Sequence, residues 1–306
     1  MISPELIARA AELIRAGRLV AFPTETVYGL GADALNAAAV ERIYAAKGRP
    51  ATSPLIVHVD STAMARSLAS RWPEEAEALA ARYWPGPLTL VVPKAACVPP
   101  VVTAGLDTVG LRMPAHPVAL ALIRASGVPV AAPSANRFTQ LSPTTAQHVE
   151  AGLSTSVDLI LDAGPAAVGI ESTVLSLAGR PLLLRSGMIS REEIERTIGP
   201  VEERTSALGG GEGHPSPGLH ARHYSPRTRM VLVAGRSELP PGVGAYVGFG
   251  ADADVPMPPT PAEYAAKLYA TLHSLDSENY EWIAVERPPD TPDWAAIRDR
   301  LQRAAS

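Results

Sequence analysis

The chain has 306 residues, which suggests about two domains at roughly 150 residues each. It is 46% hydrophobic and 19% charged, too apolar for general disorder, and its 30 prolines and 24 glycines follow no period, which excludes a collagen-like repeat. A net charge of -4 argues against a chain that coats nucleic acid or an anionic membrane, while leaving room for a local basic pocket.

Ser3-Pro4-Glu5 has the form of an N-cap, a first-turn proline and an early acid. A helix is predicted there, with Leu6, Ala10, Leu13 and Ile14 as its buried stripe and Gly17 as its stop. Glu5, Arg9, Glu12 and Arg15 make it amphipathic and unlike a signal peptide. No uncharged apolar run reaches the roughly 18 residues of a membrane span, so a cytoplasmic protein is expected. Hydrophobic patterning then predicts a strand at 19–22, a helix at 37–46, a strand at 55–59, helices at 61–70 and 74–83, and a strand at 88–92. In 108–113 Thr108, Gly110 and Arg112 share one strand face, with Val109, Leu111 and Met113 on the other. A helix at 116–125, a strand at 128–132, a helix opened by Ser142-Pro143, and strands at 158–161, 172–177 and 182–185 follow. Ser190 and Glu193 have capping-box spacing and start a helix to Ile198. Interspersed helices and strands predict an α/β fold with a mixed sheet.

Composition shifts near residue 205, where 208–218 is dense in glycine and proline. Strands at 230–234, 245–249 and 282–285 and helices at 263–275 and 294–304 then predict a smaller α/β unit. The expected division is 1–204, a linker at 205–228, and 229–306. Cys97 is the one cysteine, so neither an internal disulfide nor a cysteine-based zinc site can form.

The chain has no Gly-x-x-x-x-Gly-Lys-Ser/Thr, Gly-x-Gly-x-x-Gly, His-Glu-x-x-His or Gly-x-Ser-x-Gly motif. What it has is several polar clusters at strand ends. Lys47-Gly48-Arg49-Pro50 puts two cations in one turn, and Lys47 is one of only three lysines. Such a rim suits phosphate or carboxylate, although a helix-end lysine also suits the dipole. Ser53 follows, and His58 points away from the face of Val57 and Val59, where a satisfied core histidine is the equal alternative. Residues 22–31 carry Thr24, Glu25, Thr26 and Tyr28, more hydrogen-bonding groups than a capping turn needs. Arg112 ends its strand beside a Pro turn, a good place for a carboxylate. Ser134 and Asn136 follow a buried strand, and Ser142, ahead of Thr144, reads as an N-cap. Ser172 starts one strand and Arg185 ends the next; pairing them as a hairpin would bring the two together. In the linker, His214, His220 and His223 lack the carboxylates and spacing of a metal site, and His223-Tyr224-Ser225-Pro226 is expected to act as a strap or lid over a pocket.

Lys47-x-Arg49 with Ser134-x-Asn136 resembles the paired motif of the YrdC-like family. Residues 23–31, Ser-Pro-Leu-Ile-Val-His at 53–58, Trp84-Pro-Gly-Pro-Leu-Thr, Arg112-Met-Pro, Glu171-Ser-Thr-Val and Leu184-Arg-Ser-Gly are similar to it as well. The linker motif and the C-terminal unit point to its longer, two-domain branch. The resemblance implies a YrdC-like open twisted mixed sheet with a concave basic cavity, plus a small Rossmann-like α/β domain. It implies condensation of L-threonine, bicarbonate (or carbon dioxide) and ATP to L-threonylcarbamoyladenylate and pyrophosphate, feeding a separate machinery that modifies tRNA. Mg²⁺ is expected with the ATP, held by phosphates and water. By resemblance, Thr26, His58, Arg112, Ser134 and Ser172 go to threonine. Arg49, Ser53, Thr108, Asn136, Ser142, Thr144, Arg185 and Tyr224 go to ATP, with His223 and Tyr224 as the lid. Lys47 and Arg49 are the expected catalytic pair. Ser53 departs from the family's frequent Asn. Two alternatives remain at this point, an RNA-binding module and a carbamoyltransferase on the same fold; salt-dependent RNA binding without ATP turnover would mark the first.

Overall fold

A computed structural model describes residues 2–203 and 223–306, so most of the expected linker, including His214 and His220, lies outside the described residues. Along the first part run α1 (Pro4–Arg15), β1 (Val20–Phe22), β2 (Gly29–Asp33), α2 (Ala37–Lys47), β3 (Ile56–His58), α3 (Thr62–Ser67), α4 (Glu74–Tyr83), β4 (Leu88–Pro93), β5 (Thr108–Arg112), α5 (Pro117–Ser126), β6 (Val130–Ala131), α6 (Ala146–Leu153), β7 (Leu159–Ile160), β8 (Thr173–Ser176), β9 (Leu182–Arg185), α7 (Arg191–Ile198) and β10 (Glu202–Glu203). The strands make one mixed sheet in the order β10-β9-β8-β4-β5-β3-β6-β2-β1-β7.

Local chemistry explains most boundaries. Ser3 caps α1 by accepting from the Leu6 N–H, and Ser190 and Glu193 form the expected reciprocal box at α7. Asn36 caps α2, which ends at Gly48 in the left-handed region, φ 62°. Two expectations change. β2 is a strand where the sequence predicts none, because its Gly-Leu-Gly-Ala pattern lacks strand formers. The glycine is needed: a Cβ on Gly31 would sit 2.7 Å from the Phe22 ring and 2.9 Å from Val130. Ser142 is not an N-cap. Thr145 caps α6, accepting from the His148 N–H, while the carbonyls of Pro143 and Thr144 are taken by the N–H groups of Tyr28 and Ala166. Those long-range bonds hold 142–144 out of the helix.

The main core packs α2, α4, α6 and α7 against one sheet face through Ile43, Leu79, Val149 and Ile194. Helices α1 and α5 cover Val20, Phe22 and Val130 near the sheet's other end. The opposite face of β3, β4, β5, β8 and β9 carries Ile56, His58, Thr89, Gly110 and Arg112 and a small apolar cluster of Val91, Val174 and Leu184.

The second part holds β11 (Arg229–Val233), β12 (Gly244–Gly248), β13 (Val255–Pro256), α8 (Pro261–Asp276), β14 (Trp282–Glu286) and α9 (Ala295–Ala304). Its sheet is parallel throughout, in the order β11-β14-β12-β13. The core under α8 and α9, with Leu268, Leu272, Ile297 and Leu301, runs on without a break into Val27, Leu141, Ile170 and Tyr224. The small unit is thus packed onto the polar loops of the large one. Among the described residues, no helix is long and apolar enough to cross a membrane.

Candidate active site

Loop 23–28, loop 132–136 and the ends of β3, β5, β8 and β9 converge on one cavity. Thr24 folds the first loop: its hydroxyl donates to the Val27 carbonyl at 2.7 Å and accepts from the Val27 N–H at 3.2 Å. Main-chain bonds from Ala135 to Tyr28 and from Leu30 to the Pro133 carbonyl, each 2.8 Å, lay the second loop beside it. Lys47, the last residue of α2, pins that loop from behind. Its Nζ donates to the carbonyls of Ser134 and Asn136, both at 2.6 Å, and to Asn136 Oδ1 at 3.3 Å. Burial, with Arg49 nearby, pushes the Lys47 pKa well below its ordinary value.

Three arginines line the cavity. Arg112 faces Glu25 across 2.8 Å, and Glu25 also accepts from the Ala115 N–H at 3.0 Å. Arg49 donates through Nη2 to Ser53 Oγ at 2.6 Å and to the Pro54 carbonyl at 2.9 Å; burial, with a smaller push from Arg185, takes its pKa down to about 10. Arg185 donates to the Ser172 carbonyl at 3.0 Å and to Ser172 Oγ at 3.2 Å. These bonds follow from the β8–β9 hairpin, which forms as expected. His58 neighbours Arg112 in the β3–β5 register, and burial together with that cation holds its pKa well below the usual range, so the ring is neutral.

Buried polar atoms nearly always have partners. Here Arg49 Nε, His58 Nδ1 and Tyr224 Oη are buried without a hydrogen bond of normal geometry among the described residues, and all three residues line this cavity. Three cations and three such atoms around one small space describe a site for a polar, anionic ligand.

The second unit backs the wall from behind, through Tyr269 and Arg300. Glu171 accepts from Ser142 Oγ at 2.6 Å, from Tyr269 Oη at 3.2 Å and from Arg300 Nε at 2.9 Å. Burial disfavours its charge, but Arg300, Arg185 and the Ser142 hydroxyl outweigh that and hold its pKa below the usual carboxylate range. Tyr224 lies with its ring under the Arg300 guanidinium, 5.4 Å away.

The model of the Sua5/YciO/YrdC family, described as telomere recombination, matches residues 12–187, and that of the threonylcarbamoyl-AMP synthase C-terminal domain matches residues 189–306. The chain belongs to the threonylcarbamoyl-AMP synthase family. It is 44% identical over 320 residues to the threonylcarbamoyl-AMP synthase of Bacillus subtilis (strain 168), covering 98% of this chain and 92% of that one. Identity to the Pyrococcus abyssi enzyme of the same name is 43% over 315 residues, covering 97% and 93%. The crystal structure of P. abyssi Sua5 complexed with L-threonine superposes with a TM-score of 0.93 at 42% identity, covering 100% of this chain and 95% of that one.

In this threonylcarbamoyl-AMP synthase family member, the cavity is lined by Thr26, Arg49, His58, Arg112, Ser134, Ser172, Arg185, His223 and Tyr224, nine of the residues singled out in the sequence. The other six stand elsewhere. Lys47 and Asn136 bond to each other behind loop 132–136, Ser53 supports Arg49, and Ser142 supports Glu171. Thr144 contacts His148, and Thr108 lies opposite Pro93 at the far end of β5 from Arg112. Sequence reading gave no role to Tyr269 or Arg300. The available signal was Arg300 itself, a charge on the same α9 stripe as Ile297, Leu301 and Ala304.

Beside the site, His148 of α6 stacks on His273 of α8, with ring centroids 3.9 Å apart. Burial, then the neighbouring ring, lowers the His148 pKa to about 4; burial also lowers that of His273. Both groups are protonated less readily folded than unfolded. Stability is therefore expected to be full above pH 6.5 and to fall as pH drops from there to about 4, where His148 titrates. Unfolding midpoints across that range check this, and His148→Gln should flatten part of the slope.

Proposed function

We propose that this chain condenses L-threonine, bicarbonate and ATP into L-threonylcarbamoyladenylate and pyrophosphate. The observation that carries the reading is the gathering of Arg49, Arg112 and Arg185 with Thr26, Ser134 and Ser172 around one cavity. It does so in a chain that superposes over its whole length on an enzyme complexed with L-threonine. Arg112 takes the threonine carboxylate, and Thr26, neutral His58, Ser134 and Ser172 surround its amine and hydroxyl. Arg49, Arg185 and Tyr224 face the triphosphate, with Ser53, Asn136, Ser142, Thr144 and Thr108 contributing from behind or beyond the cavity wall.

In this reading, the threonine amine attacks the carbon of bicarbonate and water leaves, giving a carbamate. A carbamate oxygen then attacks the α-phosphorus of ATP, and the bond to the β-phosphate breaks, releasing pyrophosphate. Each step brings anions together, so the protein's contribution is positioning and electrostatic stabilisation by its arginines. Lys47 acts by fixing Ser134 and Asn136. The mixed anhydride hydrolyses readily, and His223 and Tyr224 keep water out. Among the described residues, no three His, Cys, Asp or Glu side chains gather as a metal cage, and Glu25 and Glu171 each face an arginine. Mg²⁺ enters with the ATP, held by its phosphates and water. The product goes to a transfer machinery acting on tRNA in the cytoplasm. The test is incubation with ATP, bicarbonate and L-threonine. The expected result is pyrophosphate release that needs all three and a product with the mass of the adenylate; RNA binding without turnover, or transfer from carbamoyl phosphate, would replace this reading.

A further inference from the structure

Glu171, Ser172 and Tyr224 line the cavity, and a side chain from the far end of the sequence joins Glu171 to Tyr224. The Arg300 side chain has no exposed surface. Its Nε meets Glu171 Oε2 at 2.9 Å, its Nη2 meets the Glu171 carbonyl at 3.4 Å, and its Nη1 meets the Ser186 carbonyl at 2.9 Å. The same guanidinium lies 5.4 Å over the Tyr224 ring. Tyr269 adds its hydroxyl to Glu171 at 3.2 Å and its ring to Tyr224, centroids 5.9 Å apart.

Each contact has a consequence inside the cavity. Glu171 is fixed at both its carboxylate and its carbonyl, so the next residue, Ser172, is fixed where Arg185 and Thr89 bond to it. Tyr224 sits at φ 62°, a left-handed conformation that a tyrosine adopts only when its surroundings hold it there. Arg300 and Tyr269 hold its ring, while the Ser225 N–H bonds to the Thr139 carbonyl at 3.0 Å. A purely structural ion pair would need only Glu171. The five donors of a guanidinium in a fixed plane allow one group to brace Glu171 and Tyr224 together.

We propose that Arg300 is a positioning residue for the reaction, through which docking of the C-terminal unit sets the threonine and ATP sides of the cavity together. This rests on the function proposed above. Tyr269 is the second member of the device.

The test uses the full chain in the assay for adenylate formation, with KM for L-threonine and for ATP, kcat, and the unfolding midpoint measured for each variant. Arg300→Met alone would leave Glu171 buried without its cation, so it is made in a Glu171→Gln background and compared with that background. The expected result is a rise of about tenfold in both KM values over that background in protein that is still fully folded at the assay temperature, the scale of one lost charged hydrogen bond; the orphaned Ser186 and Glu171 carbonyls lower the unfolding midpoint. Arg300→Lys keeps a charge beside Glu171 without spanning to Ser186, and should recover the threonine KM more fully than the ATP KM. Tyr269→Phe, which removes one hydroxyl, should raise the threonine KM about threefold. KM values in the folded double variant equal to those of the Glu171→Gln background, together with wild-type values in Tyr269→Phe, overturn the proposal; if the double variant does not fold, Tyr269→Phe decides alone. A wild-type chain that makes no adenylate would refute the proposed function instead, a distinguishable result.

Discussion

If Arg112 takes the threonine carboxylate as proposed, Arg112→Ala is expected to lower kcat/KM for threonine by about a hundredfold or more, the scale of a lost charged, forked contact. The same substitution leaves Glu25 buried without its cation, since the side chains of this pair are 5% and 10% exposed and 2.8 Å apart. Breaking one half of a buried pair costs about 3–5 kcal/mol, so a loss of activity by itself would not separate binding from folding. Glu25→Gln separates them. With the carboxylate neutralised, the double variant should regain most of the lost stability, read from its urea midpoint, and still fail to bind threonine by titration. Wild-type threonine affinity in a folded double variant would remove Arg112 from the substrate contacts.

A second large effect is expected at Lys47, for a reason that its sequence position does not show. Lys47 and Arg49 in one turn read as two cations on a phosphate rim. In the fold, Lys47 Nζ is committed to Ser134, to Asn136 and to the Asn136 side chain. Lys47→Ala therefore removes the donor from the buried Asn136 carbonyl, at a cost of about 1–3 kcal/mol, and from the half-buried Ser134 carbonyl. It should lower the unfolding midpoint and, by releasing Ser134, weaken threonine binding together with turnover. Lys47→Arg should not rescue, because a planar fork cannot replace a compact ammonium among three converging acceptors. A Lys47→Ala protein of wild-type stability that had lost only ATP affinity would restore the direct phosphate contact.

These cases show where sequence reading reached its limit. Arg112, His58 and Ser172 were legible because strand alternation and hairpin pairing fix which face a side chain takes, and β5, β3 and the β8–β9 pair form as expected. The partners of Lys47 and Ser142 lie beyond the reach of local patterning: Asn136 is 89 residues from Lys47, and Glu171 is 29 residues from Ser142. A local cap was the best reading of Ser142 until the Tyr28 and Ala166 bonds drew 142–144 out of α6. β2 is not legible from propensity because Gly31 is required by the closeness of Phe22 and Val130, a packing demand that no propensity records.

By itself, then, the sequence determined the α/β class and the set of hydroxyls and cations at strand ends, both of which depend on short-range patterning. Only the tertiary structure decided which cations face the cavity and which brace it. It alone brought Tyr269 and Arg300 to Glu171, because a buried charge is placed by whichever partner can neutralise it, and here that partner is 129 residues away.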